Sequence, residues 1–273
     1  MKTAKDIFRE DKNSVNKGSI FRFLLLTMGI ASIAFLLMLD EPAYHSPEGF
    51  PAILIWLLAI WSPTIAAIVV AMRRGNLTQL LSQSFCIPRN PIMLSLVLLP
   101  LICLISLVSF LSFSWPEFLG FPQILLLVGI NLLMGPLGEE LGWRGFLYPA
   151  LRNRLGWLGA AVVVGLIWGF WHGPLWFIAS PQSEIPFEIF LGNVMVFSIL
   201  MAILRDTTGP SLLGPVSLHL TINVAAGLFA LMEMGTQADY WSFSLVFLGA
   251  VAMISVIVYQ FTERPHCGVP VSK

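Results

Sequence analysis

Residues Ile124 to Met134, ILLLVGINLLM, lead into Gly138 to Gly145, GEELGWRG. The first stretch reads as the body of a membrane helix, and the second sets Glu139, Glu140 and Arg144 at its end. An ionisable group at membrane depth costs about 2.5–3.5 kcal/mol on insertion scales and persists mainly where it does chemistry or transport. Three of them within six residues mark this segment as a functional site.

Composition supports the membrane reading. The 273 residues are 57% hydrophobic and 11% charged, with a mean hydropathy of +0.83, whereas a soluble domain carries about 25% charge. A net charge of zero offers no field for nucleic acid, so no nucleic-acid partner is expected. Cys86, Cys103 and Cys267 are far apart and without CxxC spacing, which argues against a disulfide framework or a zinc ribbon. The first apolar run is long enough to be a retained helix rather than a cleaved signal.

A span needs roughly 20 apolar residues, and the sequence predicts them at 20–39, 51–72, 92–113, 122–141, 158–179, 187–204, 211–233 and 240–261. The expected fold is therefore all-α, a single polytopic domain over residues 1–273 with eight transmembrane helices. Basic residues alternate with this count. Lys2, Lys5, Arg9, Lys12, Lys17 and Arg22 precede or open the first span; Arg73, Arg74 and Arg89 follow the second. Arg152 and Arg154, then Arg205, then Arg264 and Lys273 lie at later turns of the same side. The opposite loops hold no lysine or arginine and carry Asp40, Glu41, Glu48, Glu117, Glu184 and Asp239. The positive-inside rule then places both termini in the cytoplasm. Arg144 alone departs from the pattern, which assigns it to the site.

Residues equidistant from a helix-hairpin turn lie at similar depth. Glu139 and Glu140 fall roughly 15 residues before the turn at Arg152 to Gly156, and His172 roughly 17 after it, at 1.5 Å per residue. Span seven brings His219 and Asn223, four apart on one helix face, to a comparable level. This reading expects a site in the cytoplasmic half. Glu140 and Arg144, also four apart, are expected to pair, leaving Glu139, His172, His219 and Asn223 to converge. A buried glutamate beside a histidine can take a proton from water, and a histidine with an asparagine can donate to a developing oxyanion. Hydrolysis of an acyl bond by activated water is chemically complete with these groups. Structural roles compete at each position, such as interhelical hydrogen bonding for Asn223.

Glu139-Glu140-x-x-x-Arg144, a helix ending in His172, and His219-x-x-x-Asn223 resemble the three ordered motifs of the CAAX protease and bacteriocin-processing family. These are the Abi, or glutamic, intramembrane endopeptidases, similar to the eukaryotic prenyl-protein endoprotease. The first and third motifs match in full; in the second, usually FxxxH, Trp168 takes the aromatic position, with Phe170 two residues before the histidine. The motif-bearing core runs from about 122 to 233. The resemblance implies an eight-helix bundle in which Glu139 and His172 activate water and His219 and Asn223 form the oxyanion hole. Glu140, Arg144 and Trp168 would support them.

No cofactor is expected. The family was formerly classed as metalloproteases, and Glu139, His172 and His219 are the set that would hold zinc, but no HExxH is present. The implied partner is a peptide or membrane-protein substrate reaching the site from lipid or cytosol. The implied location is the cell membrane, with the site facing the cytoplasm. Two other readings compete: a non-proteolytic membrane factor such as a bacteriocin-immunity or scaffold protein, and a transporter relaying protons through Glu139 and His172. Trp143, Trp168 and Trp171 are read as cavity lining or packing in equal measure, whereas other tryptophans suit the membrane interface.

Overall fold

The computed structural model describes residues 17–85, 96–111, 116, 118–209, 211–233 and 235–261. Lys2, Lys5, Arg9, Lys12, Arg89, Glu117, Arg264 and Lys273, the first residues of the third predicted span, and Cys86 and Cys267 lie outside them. The described chain is helical, with no strand.

The main helices are α1 (Lys17–Asp40), α2 (Phe50–Ile60), α3 (Ser62–Arg74), α4 (Leu77–Ser82), α5 (Leu99–Phe110), α6 (Phe121–Leu133) and α7 (Pro136–Glu140). After a π-helical turn (Leu141–Leu147) follow α8 (Tyr148–Trp171), α9 (Phe187–Thr207), α10 (Leu213–Met232) and α11 (Gln237–Phe261). Five helical runs are long and apolar enough to cross a membrane, six when the bent pair α2–α3 counts as one. Phe121, Val246 and Phe261 are among many large apolar side chains exposed on the outside, as befits a lipid-facing surface.

Three predicted spans are not simple helices. The second bends by 54° between α2 and α3, because Pro63 has no N–H to continue the ladder and opens a new helix. The fourth breaks at Met134-Gly135, and Pro136 starts α7. The broken end is satisfied from outside the helix: the Trp61 indole donates to the Leu133 carbonyl at 3.0 Å. The fifth ends at Trp171 and continues as the 3₁₀ turn Gly173–Phe177.

The helical run from Phe121 to Phe177 spans 57 residues, yet it folds back on itself. Gly156, at φ 71° and ψ 174°, interrupts α8; a side chain there would be strained, and only glycine takes this conformation without cost. The reversal brings Trp168 into hydrogen-bonding contact with Glu139, 29 positions earlier.

Short polar side chains tie the helices together, as expected where lipid gives no hydrophobic drive to association. Ser198 of α9 donates to the Ala161 carbonyl of α8 at 2.7 Å. Asn193 of α9 donates to the Trp241 carbonyl of α11 at 2.8 Å. The two ends of the bundle are each fastened separately. At one, Arg152 pairs with Asp206 at 2.8 Å, Tyr259 donates to the same carboxylate, and Arg205 donates to Gln83. At the other, the Ala179 amide donates to His45 Nδ1 at 3.3 Å.

Candidate active site

The glutamates sit where the broken helix resumes. α7 carries Glu139 and Glu140 on a single short turn, and the π-helical residues after it carry Arg144. π-Helical turns widen the backbone and recur at functional sites. Gly138 and Gly142, four apart, let this segment approach the α2–α3 bend. A Cβ on Gly138 would lie 2.8 Å from Trp61 Cδ1, and one on Gly142 would lie 2.5 Å from Pro63 Cβ. The glycines that bracket the motif are thus packing residues, and they fix the depth of the two carboxylates.

Glu140 pairs with Arg144 as the sequence predicts, Oε1 to Nη1 at 2.9 Å, with both side chains buried. The pair is not isolated, however. The same Oε1 accepts from His219 Nδ1 at 2.8 Å, so His219 is committed to Glu140 through one ring nitrogen. Its expected freedom is halved, for a reason in the tertiary contacts: α10 packs directly against α7. Removing one member of such a buried cluster leaves an uncompensated charge.

Glu139 is also partnered. It is 3% exposed, and its Oε2 accepts from the Trp168 indole at 2.5 Å. Trp168 therefore does more than supply an aromatic wall. Its backbone carbonyl accepts from His172 Nδ1 at 2.8 Å. A carbonyl only accepts, so Nδ1 carries the proton and the neutral ring keeps its lone pair on Nε2. His172 is framed by the rings of Trp168, Trp171 and Phe190, with centroids 5.9, 4.6 and 5.2 Å away. Arg144 stacks on Trp168, its guanidinium carbon 4.4 Å from the ring centroid.

Asn223 and His219 meet at Gly135. A Cβ on this glycine would lie 2.6 Å from Asn223 Nδ2 and 3.7 Å from His219 Nε2. Both nitrogens border the gap left by a missing side chain, so the glycine belongs to the site. Sequence reasoning passed over Gly135; its place directly before Pro136, between span and motif, was the available signal.

Glu139, Trp168, His172, His219 and Asn223 all line one cavity of about 1100 Å³. Trp171 lines it too, whereas Trp143 is fully buried and packs against Phe23 and Trp171. Phe170 points away, 60% exposed and against Phe187. Glu140 and Arg144 lie behind the wall. Among the described residues no three His, Cys, Asp or Glu side chains are grouped to hold a metal ion, so Glu139, His172 and His219 do not form a ready coordination sphere.

The cavity runs toward the loop that follows Asp40, the loop after His172 and the turn after Met232; Ser46, Ser183 and Thr236 line it. These are the loops of the bundle end opposite Arg152 and Arg205. From Gly156 to His172 the helix climbs about 24 Å at 1.5 Å per residue, which carries the histidine to the far side.

Residues 121–225 match the family model of the Type II CAAX prenyl endopeptidase Rce1-like proteins. That span contains both glutamates, Arg144, both histidines and Asn223. The motif-bearing segment is thus similar to the CAAX protease family. A relative from Methanococcus maripaludis, described as CAAX prenyl protease 2, is 28% identical over 141 residues. The alignment covers 49% of this chain and 51% of that protein, so the chain matches about half the length of its curated relative. Within the matched segment lie the helix break, the π-helical turn and the Gly156 reversal, the three irregularities that assemble the site.

Proposed function

We propose that the protein is an intramembrane endopeptidase that hydrolyses a peptide bond with a water held between Glu139 and His172. The observation that carries this reading is the double role of Trp168, which orients both groups toward one cavity. Glu139 has one oxygen fixed by the indole, and the other is left for a water. His172 presents Nε2, the nitrogen able to take a proton. The attack forms a C–O bond and places negative charge on the former carbonyl oxygen. Asn223 Nδ2 and His219 Nε2, which border the same gap, supply donors for that charge. Donation from Nε2 while Nδ1 donates to Glu140 requires an imidazolium, and the carboxylates of Glu139 and Glu140 together balance it and Arg144. The proton taken from water then passes to the leaving amine, and the bond to nitrogen breaks.

On this reading the catalysis is of the glutamic type and needs no resident metal, the protein resides in the cell membrane, and the bundle has eight crossings. The eighth-crossing count follows when the folded-back run supplies two spans, the bent pair one, and the shorter apolar helix Leu96–Ser109 another. The substrate is a peptide or membrane-protein segment, for which the family offers prenylated CAAX termini as one class.

The test compares membrane peptides from cells carrying wild-type protein and Glu139→Ala, followed by cleavage of the accumulated substrate by purified protein in detergent. Loss of cleavage in the variant at unchanged melting temperature supports the assignment. Wild-type rates in Glu139→Ala would falsify it. Insensitivity to a chelator separates the glutamic mechanism from a zinc-dependent one.

A further inference from the structure

The π-helical turn has a cause in the sequence and a consequence at its outer edge. The Tyr148 amide donates to the Trp143 carbonyl, five residues back, and the next residue, Pro149, has no N–H. The Arg144 carbonyl therefore loses both donors that a helix can offer, Tyr148 four residues on and Pro149 five on. The Gly145 carbonyl loses its donor four residues on to the same proline. A backbone acceptor left unpaired inside a bundle is costly, and both of these are met from outside the helix. Arg205 Nε donates to the Arg144 carbonyl and Gln83 Nε2 to the Gly145 carbonyl, each at 3.4 Å.

The two donors are themselves fixed. Arg205, near the end of α9, donates through Nη1 to the Gly209 carbonyl at 2.6 Å and through Nη2 to Gln83 Oε1. Gln83 follows α4, and its own carbonyl accepts from the Leu212 amide at 3.0 Å. Segments distant in sequence thus close on two adjacent carbonyls. Neither Gln83 nor Arg205 is among the residues that line the cavity. The turn they hold, however, carries the Arg144 side chain to Glu140 and to the Trp168 ring. Glu140 accepts from His219, and the Trp168 indole donates to Glu139.

We infer that Gln83 and Arg205 are positioning residues for the catalytic groups. They replace the donors that Pro149 withholds and so hold the turn on which Glu139, Glu140 and Arg144 are set. The word catalytic rests on the endopeptidase reading; the clamp rests on hydrogen bonds alone. A guanidinium is needed at position 205, because its fixed fork serves three acceptors at once and an ammonium has no such geometry. An amide is needed at position 83, because it accepts from Arg205 and donates to Gly145 through different atoms.

The experiment uses the full chain in detergent, with isotope-labelled histidine rings, carrying Gln83→Glu or Arg205→Lys. Gln83→Glu keeps an acceptor for Arg205 and removes the donor to Gly145; Arg205→Lys keeps the charge and removes the fork. Arg152→Ala, which cuts the neighbouring pair with Asp206, is the control. The readouts are the ring-carbon signal of His219, assigned by its loss in His219→Gln, the melting temperature, and kcat and KM on the substrate that accumulates in Glu139→Ala cells. The inference expects both variants to shift the His219 signal and to lower kcat roughly tenfold, the effect of one such bond, with KM little changed. Arg152→Ala is expected to move neither readout. A lower melting temperature with the His219 signal and kcat at wild-type values overturns the inference, because the two side chains would then only fasten the bundle end. An equal shift of His219 in Arg152→Ala also overturns it, since any loosening of that end would then suffice. The two variants lie on different segments, so a folding failure in one leaves the other to decide. A shifted His219 signal in the variants of a protein that cleaves nothing leaves the clamp standing and removes the endopeptidase reading.

Discussion

The indole nitrogen of Trp168 donates to Oε2 of Glu139 across 29 positions of sequence, at 2.5 Å. A hydrogen bond to a charged group contributes about 1.5–3 kcal/mol. Trp168→Phe keeps a ring for Arg144 to stack on and removes only the donor. We expect kcat to fall roughly tenfold, one such bond's worth, with KM little changed and a lower melting temperature, because a buried carboxylate oxygen loses its donor. Equal kcat in the two proteins would show that the bond does not hold the catalytic carboxylate.

Gly135→Ala is expected to act on the oxyanion rather than on stability. The new Cβ would fall 2.6 Å from Asn223 Nδ2 and 3.2 Å from the Asn131 carbonyl, so the amide must turn away. Loss of one oxyanion donor costs about 10²–10³ in kcat. Asn223→Ala should show a loss of the same order, and the double variant should lose little more than either alone. Additive losses in steady-state kinetics would place Gly135 outside the donor pair.

Two ion pairs of the chain should differ sharply in their contribution to folding. Glu140→Gln breaks a buried cluster shared by Arg144 and His219 and is expected to cost about 3 kcal/mol or more. Arg152→Ala breaks a pair whose arginine is 37% exposed, and solvent screening limits the loss to about 1 kcal/mol or less. Thermal unfolding in detergent should rank Glu140→Gln well below Arg152→Ala. The reverse order would contradict the burial argument.

Gly142→Ala tests the helix crossing. Its Cβ would meet Pro63 side chain and backbone at 2.5–2.6 Å, and backbone cannot yield as a flexible side chain does. Overpacking of this kind costs about 1–3 kcal/mol, and here it would also shift Glu139. We expect lower melting temperature together with lower kcat. Gly29→Ala, where nothing lies within 4 Å of the added carbon, serves as the silent control.

Much of this architecture is legible in the chain. Apolar runs and alternating arginines predict the helices, because lipid imposes one length scale and one charge rule on all of them. Glu140 and Arg144 pair as their spacing predicts, since both lie on one local turn. What the sequence hides is long-range. Nothing local tells that Trp61 will satisfy the carbonyl of Leu133, or that His219 will choose Glu140 as partner. Trp168 reads as an aromatic spacer because its donor acts only once Gly156 has turned the chain. The direction of the cavity is hidden for the same reason. Depth counted from a turn gives distance along the helix, but which loops close over the far end is decided by packing.

The ring of Trp168 also stands between two electrical compartments. Arg144 lies against its face, 4.4 Å from its centre, and Trp168 lines the cavity whereas Arg144 does not. A guanidinium placed there lends its potential to the reacting carboxylate while staying out of reach of any carboxylate on the substrate. The tryptophan works as an insulating window: the field passes, the ligand does not. Product peptides with a new C-terminal carboxylate therefore cannot form an ion pair with this guanidinium.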